Sequence, residues 1–388
     1  MKLQRLGDIV KNLDSKRIPL NSEERIAKSK KGLYPYIGAN NIVGYIDEYI
    51  FNEKILCVAE DGGNWGANQQ CAVIYEGKTW VNNHAHVLVE NGNVNLEYLK
   101  NYLNYTNLNK YIKGATRGKL NKSILENILI PLPPLPDQLH IANLLSKAES
   151  LIAQRKESIH LLDEFLKSTF LEMFGDPVRN EKGWETRTIE QLVKKEKYAL
   201  KRGPFGGALK KEIFVPSGYL VYEQFHALNN DFTFARYFID EAKFEALKGF
   251  EVKSGDIIVS CSGVYLGKLA IVPKGAKQGI INQALLKISL DNRIIEKVFF
   301  VNVFSNENFK RKFYGNVIGT GIPNFPSMDD FKKFNFVYPP IELQSKFAQI
   351  VEKTEALKTQ YQQSLQELEN LYGSLSQKAF RGELLSEL

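Results

Sequence analysis

The chain has 388 residues, enough for two or three domains with cores of their own. Hydrophobic residues make up 44% and charged residues 24%, a globular balance, and no apolar run reaches the ~18 residues of a membrane span. Three sparse cysteines (Cys57, Cys71, Cys261) without zinc spacing, and an N-terminus that opens no signal-peptide core, exclude a disulfide scaffold and point to the cytoplasm. The net charge of +7 is uneven: +4 over residues 1–130, −2 over 131–184, +7 over 185–335 and −2 over 336–388. A basic block favours a polyanion, most often nucleic acid.

In chain order, the first basic block opens with an amphipathic segment at 6–10. Strand patterns follow at 54–59, 72–75 and 86–89, a helical one at 96–105, and an amphipathic run at 123–130. Pro133-Pro134 ends that block, because proline has no ladder donor and suits a helix entry. From Asp137 to Phe174 apolar residues recur in heptads: Ile141, Ala148, Leu162 in one series and Leu145, Ile152, Ile159, Leu166, Met173 in the other, broken by Arg155 and Thr169. A period of 3.5 residues is a coiled-coil signal. The second basic block repeats the plan, with an amphipathic segment at 189–193, strand patterns at 218–222, 256–261, 269–272 and 284–288, a helical one at 294–304 and a closing run at 328–336. Pro339-Pro340 then opens a second heptad helix, with Phe347, Val351, Tyr361, Leu365, Leu368, Tyr372 and Leu375 on its seam and Thr354 and Lys358 interrupting it.

The two helical segments match without a gap at an offset of 206 residues: Gln138 meets Gln344, Ala142 meets Ala348, Ser158 meets Ser364 and Phe174 meets Phe380. The chain therefore reads as domain–helix–domain–helix. The expected fold is α+β: two mixed α/β domains joined by two long antiparallel helices that form a coiled coil, a pseudo-two-fold tandem repeat. The expected boundaries are 1–130, 131–180, 181–336 and 337–388.

Catalytic motifs are missing. Residues 72–79 lack the first glycine of a phosphate-binding loop and sit on a strand pattern. Both di-prolines follow Leu132 or Tyr338, not the Asn or Asp of an adenine methyltransferase motif. His84 and His86 could share a strand face, but no third ligand is nearby, so hydrogen bonding or packing is expected and no metal. Ser260-Cys261-Ser262 has no histidine at hand to activate a nucleophile.

What remains is loop chemistry suited to DNA, since Asn reads adenine and Arg or Lys reads guanine. The candidate contacts are Trp65, Asn82, Asn83, His84, Arg117 and Lys119 in the first domain. In the second they are Lys201, Arg202, Gln224, His226, Tyr265, Lys268 and Asn324. Beyond the single seam of each helix lie Leu144, Leu151, Phe165, Ile350, Leu357 and Leu371, a second apolar stripe suited to binding another chain.

The whole chain resembles the DNA-specificity subunits of type I restriction–modification systems. The carriers are the run Pro131-Leu132-Pro133-Pro134-Leu135-Pro136-Asp137-Gln138, the helix after it, its repeat from Pro339, Gly203-Pro204-Phe205-Gly206-Gly207-Ala208-Leu209-Lys210, and Gly255-Asp256-Ile257-Ile258-Val259-Ser260. The resemblance implies no catalysis and no cofactor in this chain. It implies two target-recognition domains, each reading half of a bipartite site in double-stranded DNA. It implies helices that set the gap and dock two modification subunits. S-adenosylmethionine would bind in those, and ATP and Mg in a restriction subunit where one is present. With no helix before the first domain, the C-terminal helix is expected to close the contacts. The competing reading is a coiled-coil scaffold or adhesion protein that reads no DNA sequence.

Overall fold

The computed structural model describes residues 1–114, 118–314 and 325–384, in two compact units. Unit 1 holds residues 1–159 and 361–388, and unit 2 holds residues 160–360.

Unit 1 is built on two four-stranded sheets. One is antiparallel, in the order Val10–Asn12, Ala85–Glu90, Ile55–Ala59, Ala72–Tyr75. All five residues of Ile55–Ala59 are buried, which explains why this strand reads as an unbroken apolar run. Leu56, Val58 and Leu88 pack with Leu96, Leu99 and Leu103 of the helix Leu96–Tyr105, while Ile55, Cys57 and Val87 pack with Val81 and Phe51 of the second sheet. That second sheet runs Ile42–Ile46, Tyr34–Ile37, Lys78–Val81, Phe51–Asn52, and its middle pair is parallel.

Unit 2 repeats this plan strand for strand. Leu200–Arg202, Leu285–Ile288, Ile257–Ser260 and Leu269–Ile271 form the antiparallel sheet; Phe238–Ile239, Tyr219–Tyr222, Gly279–Ile281 and Glu251–Val252 form the other, again with a parallel middle pair. The helix Lys297–Ser305 takes the place of Leu96–Tyr105. The duplication seen in the helices thus extends to both domains.

Each unit also contains a two-stranded clasp that the residue pattern does not announce: Lys2–Arg5 with Leu129–Leu132, and Glu185–Thr188 with Asn335–Tyr338. The clasp strands end at the di-prolines, and the long helices Leu135–Phe174 and Ile341–Arg381 follow directly. Gly175 (φ +74°) and Gly382 (φ +84°) stop them in the left-handed conformation usual after a helix. Gly373 lies inside the second helix, which continues for two more turns.

Within each unit the helices pair antiparallel. In unit 1, Tyr372 donates to Glu149 (2.8 Å), Lys156 pairs with Glu369 (2.9 Å) and Ala379 joins the core with Ile141, Ala142 and Leu145. In unit 2, Lys358 pairs with Asp163, and Phe347 meets Phe170 and Phe174 edge-on, each at 5.5 Å. The polar interruptions of the heptads are matched rather than tolerated. The Arg155 guanidinium lies 4.3 Å from the Tyr361 ring centre, and Thr354 donates to Ile350 O. The C-terminal helix does close unit 1: Phe380 packs on Tyr98, Tyr102 and Tyr105.

Candidate nucleic-acid interface

In unit 1 the loops gather at one end of the antiparallel sheet. Main-chain bonds stitch them together: Glu60 N to His84 O, Leu120 N to Glu60 O and Gly62 N to Gly118 O, while the Asn40 amide donates to Gly62 O. Gly63 is required here, because a Cβ would fall 2.4 Å from Ala59 and 2.8 Å from the Trp65 ring. A buried charge network supports the loops from below. His86, fully buried, has Nδ1 at 2.6 Å from Asp14 and Nε2 at 2.7 Å from Leu120 O. Arg17 donates to Glu60 (2.7 Å) and to Ala85 O (2.7 Å), and Lys119 approaches the other Glu60 oxygen at 3.1 Å. Burial alone would raise both carboxyls. The His86 bond and the Val87 N–H outweigh it at Asp14, and Arg17 and Lys119 outweigh it at Glu60, so both sit below the usual carboxylate range.

Asp14, Glu60 and His86 lie close enough to share a metal ion. The donor set does not fit one. Arg17 and Lys119 already neutralise the carboxylates, and one imidazole nitrogen is spent on Leu120 O. Ligand-type groups do stand beside His86, contrary to the expectation from spacing, because Asp14 and Glu60 come from distant segments of the chain; His86 hydrogen-bonds to Asp14 and Leu120 O.

Three of the expected contacts are structural. Asn82 is 6% exposed and its Oδ1 accepts the His84 N–H (2.8 Å). Asn282 does the same for Ala284 (3.1 Å) at the matching turn of unit 2, so Asn82 shapes a turn. Trp65 is 6% exposed and its indole donates to Ala59 O. His226 is fully buried; its Nδ1 accepts from Glu223 N and its Nε2 faces Phe234 O. Side chains this far out of solvent and bonded to main chain serve the loop rather than its surface, so these three leave the list of contacts. Asn83 is exposed, His84 is half-exposed beside Asp61 (2.8 Å), and Lys119 is half-exposed. Arg117 and Asn324 lie outside the described residues.

Unit 2 carries different chemistry on the same frame. Cys261 N donates to Ala284 O, as Glu60 N does to His84 O, so Cys261 stands where unit 1 has Glu60, and Leu286 stands where it has His86. Burial pushes the Cys261 thiol up to about 12, which leaves it no nucleophile. Arg202, half-buried, has no described carboxylate partner; its Nε is buried without a hydrogen bond and its guanidinium lies 5.6 Å from the Phe205 ring centre. Phe205 itself is 73% exposed, on a loop pinned where Gly203 passes against Asn282 O so tightly that a Cβ would sit 1.8 Å away. The Gln224 amide donates to Ser260 Oγ (2.8 Å) and to Ser262 O (2.9 Å). Only an NH2 can donate to that carbonyl, so the Gln224 oxygen is left to accept and meets no donor among the described residues. Tyr265 and Lys268 are exposed on the neighbouring turn, and Lys201 lies over the rings of Tyr198 and Phe250.

On the long helices Leu151 (50%), Phe165 (48%), Leu357 and Leu371 are exposed, whereas Leu144 and Ile350 are half-buried. Leu139, Leu161 and Leu171, not singled out from the sequence, are exposed as well.

A family model described as "Type I restriction modification DNA specificity domain" matches residues 1–161 and again residues 181–370. A Haemophilus influenzae protein named as a type I restriction enzyme specificity subunit is 26% identical over 378 residues, covering 91% of this chain and 87% of that protein. The MjaVIII specificity subunit of Methanocaldococcus jannaschii is 25% identical over 348 residues, covering 82% of this chain and 78% of its own. Among solved structures, a type I restriction–modification S subunit from M. genitalium superposes with a TM-score of 0.62 at 15% identity, covering 98% of this chain and 96% of its own. A chain from a study of assembly and conformational transition in the type I R-M system gives 0.53 at 15% identity, covering 98% and 97%.

Proposed function

The chain belongs to the type I restriction–modification DNA specificity family, and from that premise we propose that its two domains each read one half of a bipartite site in double-stranded DNA. The observation that carries this reading is one scaffold used twice with different loop chemistry at the same sheet end: charged and amide groups in unit 1, an unpaired arginine with an exposed aromatic in unit 2. A shared frame holds the loops alike, and different loop residues select different bases. The reading groups are Asn83, His84, Lys119 and Arg117 in the domain of residues 1–130. In the domain of 181–336 they are Lys201, Arg202, Gln224, Tyr265, Lys268 and Asn324.

The helical segments 131–180 and 337–388 fix the gap between the half-sites, and their exposed leucines with Phe165 dock two modification subunits. Those subunits carry S-adenosylmethionine; the specificity chain contributes recognition, in the cytoplasm, and a restriction subunit joins through them. Methylome sequencing of the host with and without the gene tests this: a bipartite methylated motif should vanish on deletion. Loss of no motif, or of an undivided one, contradicts the reading.

A further inference from the structure

At the end of unit 2's antiparallel sheet opposite the loops already described, where Asp256 and Ser289 flank the paired strands, lies a cleft of about 290 Å3. Five lysines line it (Lys194, Lys197, Lys248, Lys253 and Lys287) against three acids. Two of the acids carry hydrogen bonds of their own: Asp256 accepts from Ser289 Oγ (2.6 Å) and Lys253 N (2.8 Å), both in the cleft, and Glu251 accepts from Gln278 (2.9 Å), so the cleft keeps a net excess of two lysines. Among the lysines only Lys248 is paired with a described carboxylate, Glu245 at 2.6 Å.

Lys287 is the informative residue. It is 7% exposed, yet its ammonium donates to a single described acceptor, Glu251 O at 2.7 Å. Two of its three donors remain for whatever enters. Burial draws its pKa below the usual lysine value, against the opposing pull of Asp256, Glu251 and Glu196 in the same cleft. Tyr198 stands at the cleft with φ +70°, a conformation rarely taken by an aromatic residue, and Lys197 and Lys201 lie 4.9 and 5.1 Å from its ring centre.

We propose that this cleft is a phosphate site, with Lys287 at its floor and Lys197 and Lys253 at its rim. The identity of the phosphate rests on the DNA-reading function above: it is a backbone phosphodiester flanking the half-site read by unit 2. A free pyrophosphate or nucleotide presents the same oxyanion chemistry.

The test uses the full chain and two duplexes, one bearing the methylated motif and one unrelated, titrated across salt concentrations. For K197A, K253A and their double variant, the slope of log K against log salt should fall by about 0.9 for each phosphate contact removed, on both duplexes. The methylated motif should stay unchanged. Lys197 and Lys253 are exposed, so these variants keep the fold; K287M, checked by its melting curve, should give the largest loss. Calorimetry with inorganic pyrophosphate separates the sources. Pyrophosphate that binds wild type but not K253A, with unchanged duplex slopes, places a free phosphate in the cleft and overturns the backbone assignment. Unchanged slopes with no pyrophosphate binding overturn the site altogether. Equal affinity of wild type for both duplexes would defeat the half-site reading and leave the slope result standing.

Discussion

Gln138 and Gln344 do the same task at matching places. Each is buried at the start of a long helix. Gln138 accepts from Asn95 N (2.9 Å) and donates to Pro133 O, while Gln344 accepts from Glu296 N (2.9 Å) and donates to Pro339 O. Asn95 and Glu296 are the N-caps of the two domain helices, so each glutamine ties a long helix to its domain. Gln344→Ala strands a main-chain donor and an acceptor; about 1–3 kcal/mol of stability should be lost, read as a shift in the urea midpoint. The Asp14 and Glu60 carboxyls make a second residue-scale prediction. Their pKa values are lower folded than unfolded, so their contribution is complete above about pH 5 and fades as pH drops through the unfolded and then the folded values. Cys261 and Leu286 replace Glu60 and His86 in unit 2. Amide exchange around residues 60, 85 and 120 should therefore accelerate on acidification to pH 3 before it does around residues 261, 285 and 325. Equal acceleration at both places would contradict this. On the proposed assignment of Gln224 to base reading, Gln224→Ala removes an acceptor and should relax one base position of one half-site by roughly 1–3 kcal/mol, seen as a degenerate base in the methylated motif.

Both long helices keep a strict four–three alternation along the seam, from Ile141 to Met173 and from Phe347 to Ala379, and every seam residue is buried or half-buried. Helix length is therefore adjustable only in whole heptads without breaking that alternation. Adding seven residues after Ile159 and seven after Gln360 lengthens each helix by ~10.5 Å at ~1.5 Å per residue. DNA rises ~3.4 Å per base pair, so the unread gap should grow by about three base pairs with both half-site sequences unchanged. An active variant with the original gap would show that the helices bind partners without setting the spacing. These helices, and strands such as Ile55–Ala59, were legible because their burial imposes a regular pattern on the residues. Apart from Tyr219–Tyr222, the second sheet of each unit was not: Phe51–Asn52, Phe238–Ile239 and Glu251–Val252 are two residues each, too short to show alternation. Loop polarity also misled, because Asn82 and His226 are polar in order to hold main chain rather than a ligand. The one usable signal was the repeat itself, which sets Val81-Asn82 against Ile281-Asn282.

At the scale of the whole chain, the matched scaffolds make the two specificities separable. Replacing residues 1–130 with the corresponding domain of a relative should change one half of the methylated motif and leave the other half and the gap intact; a change in both halves would refute it. The unit boundaries carry one more consequence, for synthesis on the ribosome. Unit 2 is a continuous stretch of chain, residues 160–360, and has all its parts once that stretch emerges. Unit 1 does not: Ala379 and Phe380 complete a core whose tyrosines, Tyr98, Tyr102 and Tyr105, were made some 280 residues earlier. The domain translated first is thus the last to be finished, and its aromatic face waits open while the later unit closes. A chain truncated after residue 360 and released should hold a protease-resistant second unit and a first unit that is still cleaved.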